Sequence, residues 1–438
     1  MDSLAVAFHF HTASDVQGPE IQATWATFSL SLGTDVLTQV FDHRSRTVRP
    51  ALDLPLYPLA EWLATHWWSL RHESETPEKT SDPEFASRHC LAFAREGYAL
   101  PRLRIVPVGS HTRLAWEREL LPASGLEFLG SGDQHVPTEA LFETLADLVN
   151  TVVRRLGECS VSGTLLQQEW AAVQAADEEE SAFCAAAAAL GLDPYAASTQ
   201  AASLILELSS TMQSSVFTEF LLVASKEGVR QEAEEVRQAL QLATAGHSTL
   251  GSLADLCRDT LRPPHFPQSD PPWRQGYALA RELRRRLGLN GEPLPTHQDL
   301  ARALGVRPED LQQAVQGRAF PTRLIEGVVA TNDDRKPVWV VCPRSEEGTR
   351  FLLCRGIAEL LCNGGEPALL SRASSERQAR NRAFAAEFLA PSAGLRDRAA
   401  TAKVGEEEVS EFAEVFGVSA LVIDHQLRNH HIAQVVTP

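Results

Sequence analysis

Arg355 and Glu359 stand four residues apart in Thr349–Cys362, a stretch whose apolar residues recur at helical spacing. Positions i and i+4 share one face of a helix, so a guanidinium and a carboxylate placed this way are set to pair. The next predicted helix, Ser375–Phe388, carries Arg380, Arg382 and Glu387. Guanidinium groups match carboxylates and phosphates as two-pronged donors. Two outcomes follow from these residue types. Arg355 and Glu359 form a salt bridge that fills space between two helices, which is the simpler expectation. Alternatively Arg355, Glu359, Arg380, Arg382 and Glu387 together line a pocket for an anion, an acidic peptide or another ligand.

Other residues with chemical potential read as structural. The seven cysteines are odd in number and contain no Cys-x-x-Cys pair, which argues against a disulfide framework or a zinc ribbon. Cys354 and Cys362 lie about 12 Å apart on a straight helix at 1.5 Å per residue, too far for a bridge. His9 and His11 alternate along a strand-like segment, and with Asp42 and His43 they would make a metal site. A partly exposed strand face is the plainer reading. His425, His430 and His431 read as surface residues. Thr296–Leu311 has the look of a helix-turn-helix, but its second helix carries Glu309 and Asp310 and no base, which suits a phosphate backbone badly. Arg284-Arg285-Arg286 reads as a solvated or partner-docking face.

The 438 residues are 44% hydrophobic and 22% charged, globular values that imply two to four domains. The net charge of −17 is unevenly spread. Residues 273–438 hold 22 Lys and Arg against 21 Asp and Glu, whereas residues 1–272 hold 18 against 36. An acidic N-terminal portion repels nucleic acid, so a protein partner is expected rather than DNA or RNA. No apolar run reaches the ~20 residues of a membrane span, and an acid follows Met1 where a secretory signal carries base, so a cytoplasmic location is expected.

Periodicity predicts an α+β multidomain chain. Residues 1–160 form an α+β unit of unknown role, with strands at 5–11, 24–32, 36–42, 103–108 and 112–116. Helices begin near Pro58 and after Thr138, the latter a predicted N-cap. Residues 161–260 read as an acidic helical domain. Leu261–Pro272 holds five prolines in twelve residues and reads as a linker. Residues 273–438 read as mainly helical with a small sheet: helices at 273–287, 349–362, 375–388, 406–416 and 419–429, a short helix pair at 296–317, and strands at 323–330 and 337–341.

Three pieces of this last region, in order, resemble the ImmA/IrrE metallopeptidase family over about residues 275–432. Arg350-Phe-Leu-Leu353 is similar to the family's Arg-Phe-x-Leu lead-in. Ala383-Phe-Ala-Ala-Glu-Phe-Leu-Ala-Pro391 is similar to its Phe-Ala-Ala-x-Leu-Leu-x-Pro signature, and Phe416-Gly-Val-Ser419 to its closing turn. The resemblance implies a zincin-like fold and, in active members, a His-Glu-x-x-His pentad after the lead-in, with two imidazoles gripping zinc and the Glu activating water. Here the matching pentad is Arg355-Gly356-Ile357-Ala358-Glu359, so the degenerate positions are Arg355, Gly356 and Glu359. Gln378, Ala379 and Arg380 stand where a third, acidic ligand is expected. Arg355 has no lone pair to give a metal. The sequence therefore predicts no metal, no cofactor and no catalytic residue. It points to a pseudopeptidase acting as a regulatory or interaction protein in bacterial stress response, phage defence or repressor control. The alternatives are a hydrolase with a rebuilt site using Glu359 or Glu387, and a DNA-binding regulator.

Overall fold

The computed structural model describes residues 3–13, 16–260, 270–399 and 401–436. The chain divides into two compact units, residues 1–206 and 207–438. Among the described residues no helix is long and apolar enough to cross a membrane.

The first unit is α+β. Trp25–Leu32 pairs antiparallel with Leu4–Phe10, matching Phe28 to Phe8 and Leu32 to Leu4. Ala26, Phe28, Leu30 and Leu32 are buried, while the intervening Thr and Ser face outward, as period-two alternation requires. Arg102–Val108, His111–Glu117 and Gly132–Pro137 form a separate antiparallel sheet. The helix Thr138–Glu158 lays Leu141, Phe142, Leu145, Leu148, Val149, Val152 and Leu156 into the core. Thr138 does not cap it: its hydroxyl donates to the Gly109 carbonyl at 3.1 Å instead. The helix expected from Pro58 breaks at His66 into Tyr57–Thr65 and Trp67–His72.

Residues 161–260 span the boundary between the two units at 206/207. Leu166, Trp170, Cys184 and Ala188 belong to the first unit's core, and Leu250, Leu253 and Cys257 to the second's. Composition alone groups these helices as acidic and Ala-rich, but composition does not say which sheet a helix covers. Residues 261–269 of the expected linker lie outside the described residues.

The second unit is mainly helical around one four-stranded sheet, ordered Val315–Gly317, Pro337–Val341, Ile325–Thr331, Ala368–Ser371. The first pair is parallel and the others antiparallel. Val328-Val-Ala330 and Val338-Trp-Val-Val341 are buried throughout, as strands covered on both faces must be. The central helix Glu346–Asn363 crosses this sheet, and Glu376–Leu389 packs on it. Pro272–Arg286 in turn lies close against Glu376–Leu389. Gly276 makes that approach possible, because a Cβ there would collide with the Arg380 carbonyl. The strand Ala368–Ser371 and the parallel pair Lys403–Gly405 with Gln434–Val436 carry little sequence signal at three or four residues each.

Arg284 corrects one expectation. It is not on a solvated face but buried, donating to the carbonyls of Phe388 (2.5 Å), Asn290 (2.9 and 3.1 Å) and Glu292 (2.6 Å). Only Arg285 and Arg286 face solvent, both paired with Glu282.

The first and third sequence pieces interlock. Arg350, 1% exposed, donates to the carbonyl of Gly417, and Gly417 ends Glu406–Phe416 in the left-handed conformation (φ 60°). Losing that donor strands a buried carbonyl, which costs the desolvation of an unmet acceptor as well as the bond. Arg350→Ala is therefore expected to lower the unfolding free energy by about 2–4 kcal/mol in urea denaturation. A loss below about 0.5 kcal/mol would mean the contact is idle.

Candidate functional site

The pentad sits mid-helix, buried on every side. Arg355 is 2% exposed. It donates to Glu326, to the Ser371 carbonyl at 2.6 Å and to Gln378 Oε1 at 2.6 Å. Glu326 reaches it from a break in strand register: Ile325 pairs with Ser371 and Gly327 with Leu370, so Glu326 stands in a bulge. Bulges re-aim a side chain out of its regular alternation. Glu326 also takes Arg344 at 2.7 Å and Arg372 at 3.4 Å. Burial works to raise its pKa, yet the three guanidinium groups hold it below the usual carboxylate value.

Arg355 and Glu359 do not pair with each other. Glu359, 1% exposed, takes Arg377 at 2.7 and 3.3 Å, together with the amides of Asn363 and Asn381. Arg380 Nη2 lies 3.8 Å from it. Against its burial, these partners keep Glu359 below its ordinary pKa. The i,i+4 expectation fails because the strand and the following helix offer each ion a better-placed partner than its own helix does.

A further carboxylate closes this region. Glu219, on the helix Ser214–Leu221, accepts from Ser375 Oγ at 2.8 Å and Gln378 Nε2 at 3.0 Å. Burial pushes its pKa up. Arg377 also donates to the Ser215 carbonyl at 3.4 Å, so this helix covers the pentad's side of the domain.

Gly356 abuts the sheet. A Cβ built there would overlap the indole of Trp339, a fully buried side chain whose Nε1 has no hydrogen-bond partner among the described residues.

The other predicted site residues disperse. Arg382 donates to the Ala373 carbonyl at 3.0 Å and lines a groove of about 520 Å³. Glu387 faces a different neighbourhood: Arg281 (2.8 Å), Ser392 Oγ (2.8 Å), Gln426 Nε2 (2.8 Å) and His430 Nε2 (3.1 Å). Burial opposes its ionisation, but His430 and Arg281 bring its pKa from an ordinary 4.5 to about 2. His430 is thus an inner residue with 8% side-chain exposure, not a surface one. Arg355, Glu359, Arg380, Arg382 and Glu387 therefore do not line one pocket. Burial keeps Cys354 protonated, with its pKa near 12. The sequence reading missed Glu326, Trp339 and Glu219. A lone acid followed by Gly inside Leu324-Ile-Glu-Gly-Val-Val329 was the available sign of the first.

The lead-in, the signature helix and the closing turn thus meet around one buried helix. Residues 320–428 match the IrrE N-terminal-like domain, a peptidase family. No curated protein matches the chain. Within the IrrE-like domain the donors do not fit the zinc such peptidases hold. Arg355 offers only N–H groups, and Glu359 spends its oxygens on Arg377, Asn363 and Asn381. Among the described residues no group of three or more His, Cys, Asp or Glu side chains is placed to hold a metal ion.

Two outcomes follow. Gly356→Ala is expected to destabilise by about 1–3 kcal/mol, because the central helix or Trp339 must shift to admit a methyl group; unchanged denaturation would contradict the contact. Glu326, Glu359 and Glu387 have folded pKa values below their unfolded ones, so their stabilisation is present above the unfolded carboxylate value and lost as pH falls through the folded one, which for Glu387 is about 2. Glu219 acts oppositely and weakens the fold as pH rises past its unfolded value. Acid titration of stability is expected to be steep over this range, and Glu387→Gln is expected to flatten it.

Proposed function

We propose that the IrrE-like domain is a pseudopeptidase: a regulatory or interaction module that keeps the peptidase shell without its chemistry. The observation that carries this reading is the caging of Arg355 by Glu326, Ser371 and Gln378 where an active relative has its first imidazole. A permanent cation there repels a dication and leaves no lone pair for one. Gly356, at the position of the general base, faces an indole that leaves no room for a carboxylate arm. The loss is built into the packing, beyond a change in the pentad itself.

A rebuilt hydrolase draws little support. A general base is poised near the working pH by a raised pKa and an open site. Glu359 and Glu387 are both lowered and closed in, and Glu219, although raised, is buried at 4% exposure. DNA binding is no better served. The second helix of the short pair, Pro308–Gln313, carries Glu309 and Asp310, and Arg307 is committed to Asp310 at 2.7 Å. The reading extends to a cytoplasmic bacterial protein that binds a protein partner in stress response, phage defence or repressor control, the settings in which active members of the resembled family work.

The test is elemental analysis of the purified full chain beside a proteolysis assay against helix-turn-helix proteins. Less than a tenth of an equivalent of zinc and no chelator-sensitive cleavage are expected. Stoichiometric zinc with cleavage abolished by a chelator would end the proposal. Gly356→Glu is expected to restore neither property and to lower stability.

A further inference from the structure

The groove that Arg382 lines has a charged cluster at Arg382, Glu326 and Arg344, and elsewhere mixes apolar walls with the polar side chains of Tyr277, His425, Gln426 and Asn429. Trp273, Phe351, Ala383, Ala386, Leu421 and Val422 are among its apolar walls. Leu421 is 63% exposed, a large apolar side chain left uncovered at the rim. Three alanines spaced along Glu376–Leu389, at 379, 383 and 386, keep the floor low and make room above it.

The charged cluster is out of balance. Glu326 is already shared among Arg355, Arg344 and Arg372. Arg382 lies beside them, and among the described residues it makes no ion pair; its one hydrogen bond goes to the neutral Ala373 carbonyl. Its burial and the adjacent Arg355 lower its pKa to about 10, still charged at neutral pH but raised in energy by both. Three guanidinium groups therefore share one carboxylate, and a fourth lies beside them outside any ion pair. Glu347, which also lines the groove, is exposed at the rim, and His425 stands on the opposite helix. Glu219 is near enough to influence Arg382, but it is held toward its neutral form.

Two helix starts border the same space. Ser345 precedes Glu346–Asn363, and Ser419 precedes Ala420–Asn429. The Ser419 hydroxyl makes no capping bond, so the first N–H groups of its helix are unmet by a side chain. The start of Ala420–Asn429, with no acid in its first turn, adds positive potential to the groove, whereas Glu346 and Glu347 offset that of Glu346–Asn363.

The geometry points to an occupant: a peptide segment of a partner protein that places a carboxylate on Arg382 and lays adjacent apolar side chains on Ala383, Phe351 and Val422. This rests on the non-catalytic reading, since a groove beside a working centre would hold a segment in order to cut it. Charge complementarity selects the carboxylate. Several apolar walls beside a charged cluster suit an acidic-apolar segment better than a compact inorganic anion, which would leave the walls bare.

The full chain is to be panned against displayed random dodecapeptides, and individual binders measured by fluorescence anisotropy. Enrichment of one Asp or Glu beside aromatic or branched residues is expected. Replacing that acid by its amide is expected to weaken binding at least tenfold, and Arg382→Gln should do the same while far-UV circular dichroism and the melting temperature stay near wild type. The peptide-side substitution decides the matter even if Arg382→Gln fails to fold. Binders indifferent to the acid and to Arg382, or no binders at all, would overturn the carboxylate site. Binders that are cleaved in a zinc-dependent way would instead overturn the non-catalytic reading. Binding of glutarate or phosphate alone as tightly as the peptide would show an anion site without a peptide groove and also overturns the proposal.

Discussion

A desolvated guanidinium at position 355 is the constraint around which this domain is arranged. A cation taken out of water is costly unless its donors are met and its charge balanced. Arg355 obtains a carboxylate from Glu326, a backbone carbonyl from Ser371 and an amide oxygen from Gln378. Each comes from a different element: a bulged strand, the end of the edge strand Ala368–Ser371, and the helix Glu376–Leu389. Holding Arg355 therefore fixes the spacing between sheet, central helix and signature helix. Because Glu326 is also shared with Arg344 and Arg372, and Gln378 with Glu219, the network extends past the pentad into surrounding loops and the covering helix.

The two ends of the domain are tied by the same kind of contact. Arg350 reaches from the central helix to the carbonyl of Gly417. Glu387 reaches from the signature helix to Arg281, Ser392, Gln426 and His430. On the signature helix Phe384 and Phe388 stack on each other, ring centroids 5.5 Å apart, and each is fully buried. Burying a side chain of this size contributes roughly 2–3 kcal/mol. Arg350 in the first piece and Gly417 in the third supply the two halves of one interaction, while the middle piece is anchored through Glu387 to Arg281, Ser392, Gln426 and His430, outside all three.

Much of the second unit was legible because its elements are long and strongly patterned. The helices at 349–362 and 375–388 and the strands at 323–330 and 337–341 fall within a few residues of where periodicity placed them. The pairing of charges was not legible. Helical spacing put Arg355 over Glu359, but their partners, Glu326 and Arg377, sit 29 and 18 residues away along the chain, and spacing within one helix carries nothing about them. The same holds for Arg284, which reads as one of three surface arginines until the Phe388 carbonyl is placed beside it. Short strands of three or four residues fell below the signal that alternation needs. The assignment of Leu166 and Trp170 to one core and Leu253 to another depends on tertiary packing alone.

The helix Ser214–Leu221 lies a hundred residues ahead of the span that matches the family, yet its Glu219 supplies a hydrogen-bond acceptor to Gln378 and Ser375. Val229–Ala245 likewise packs on the sheet, and the Gly246 carbonyl accepts from Asn332. A fragment trimmed to residues 320–428 would lose these coverings and expose amide and hydroxyl groups that the intact unit satisfies. The packed unit is thus larger than the recognisable one. Any graft of this domain onto another protein has to begin upstream of the proline-rich stretch, carrying the earlier helices along.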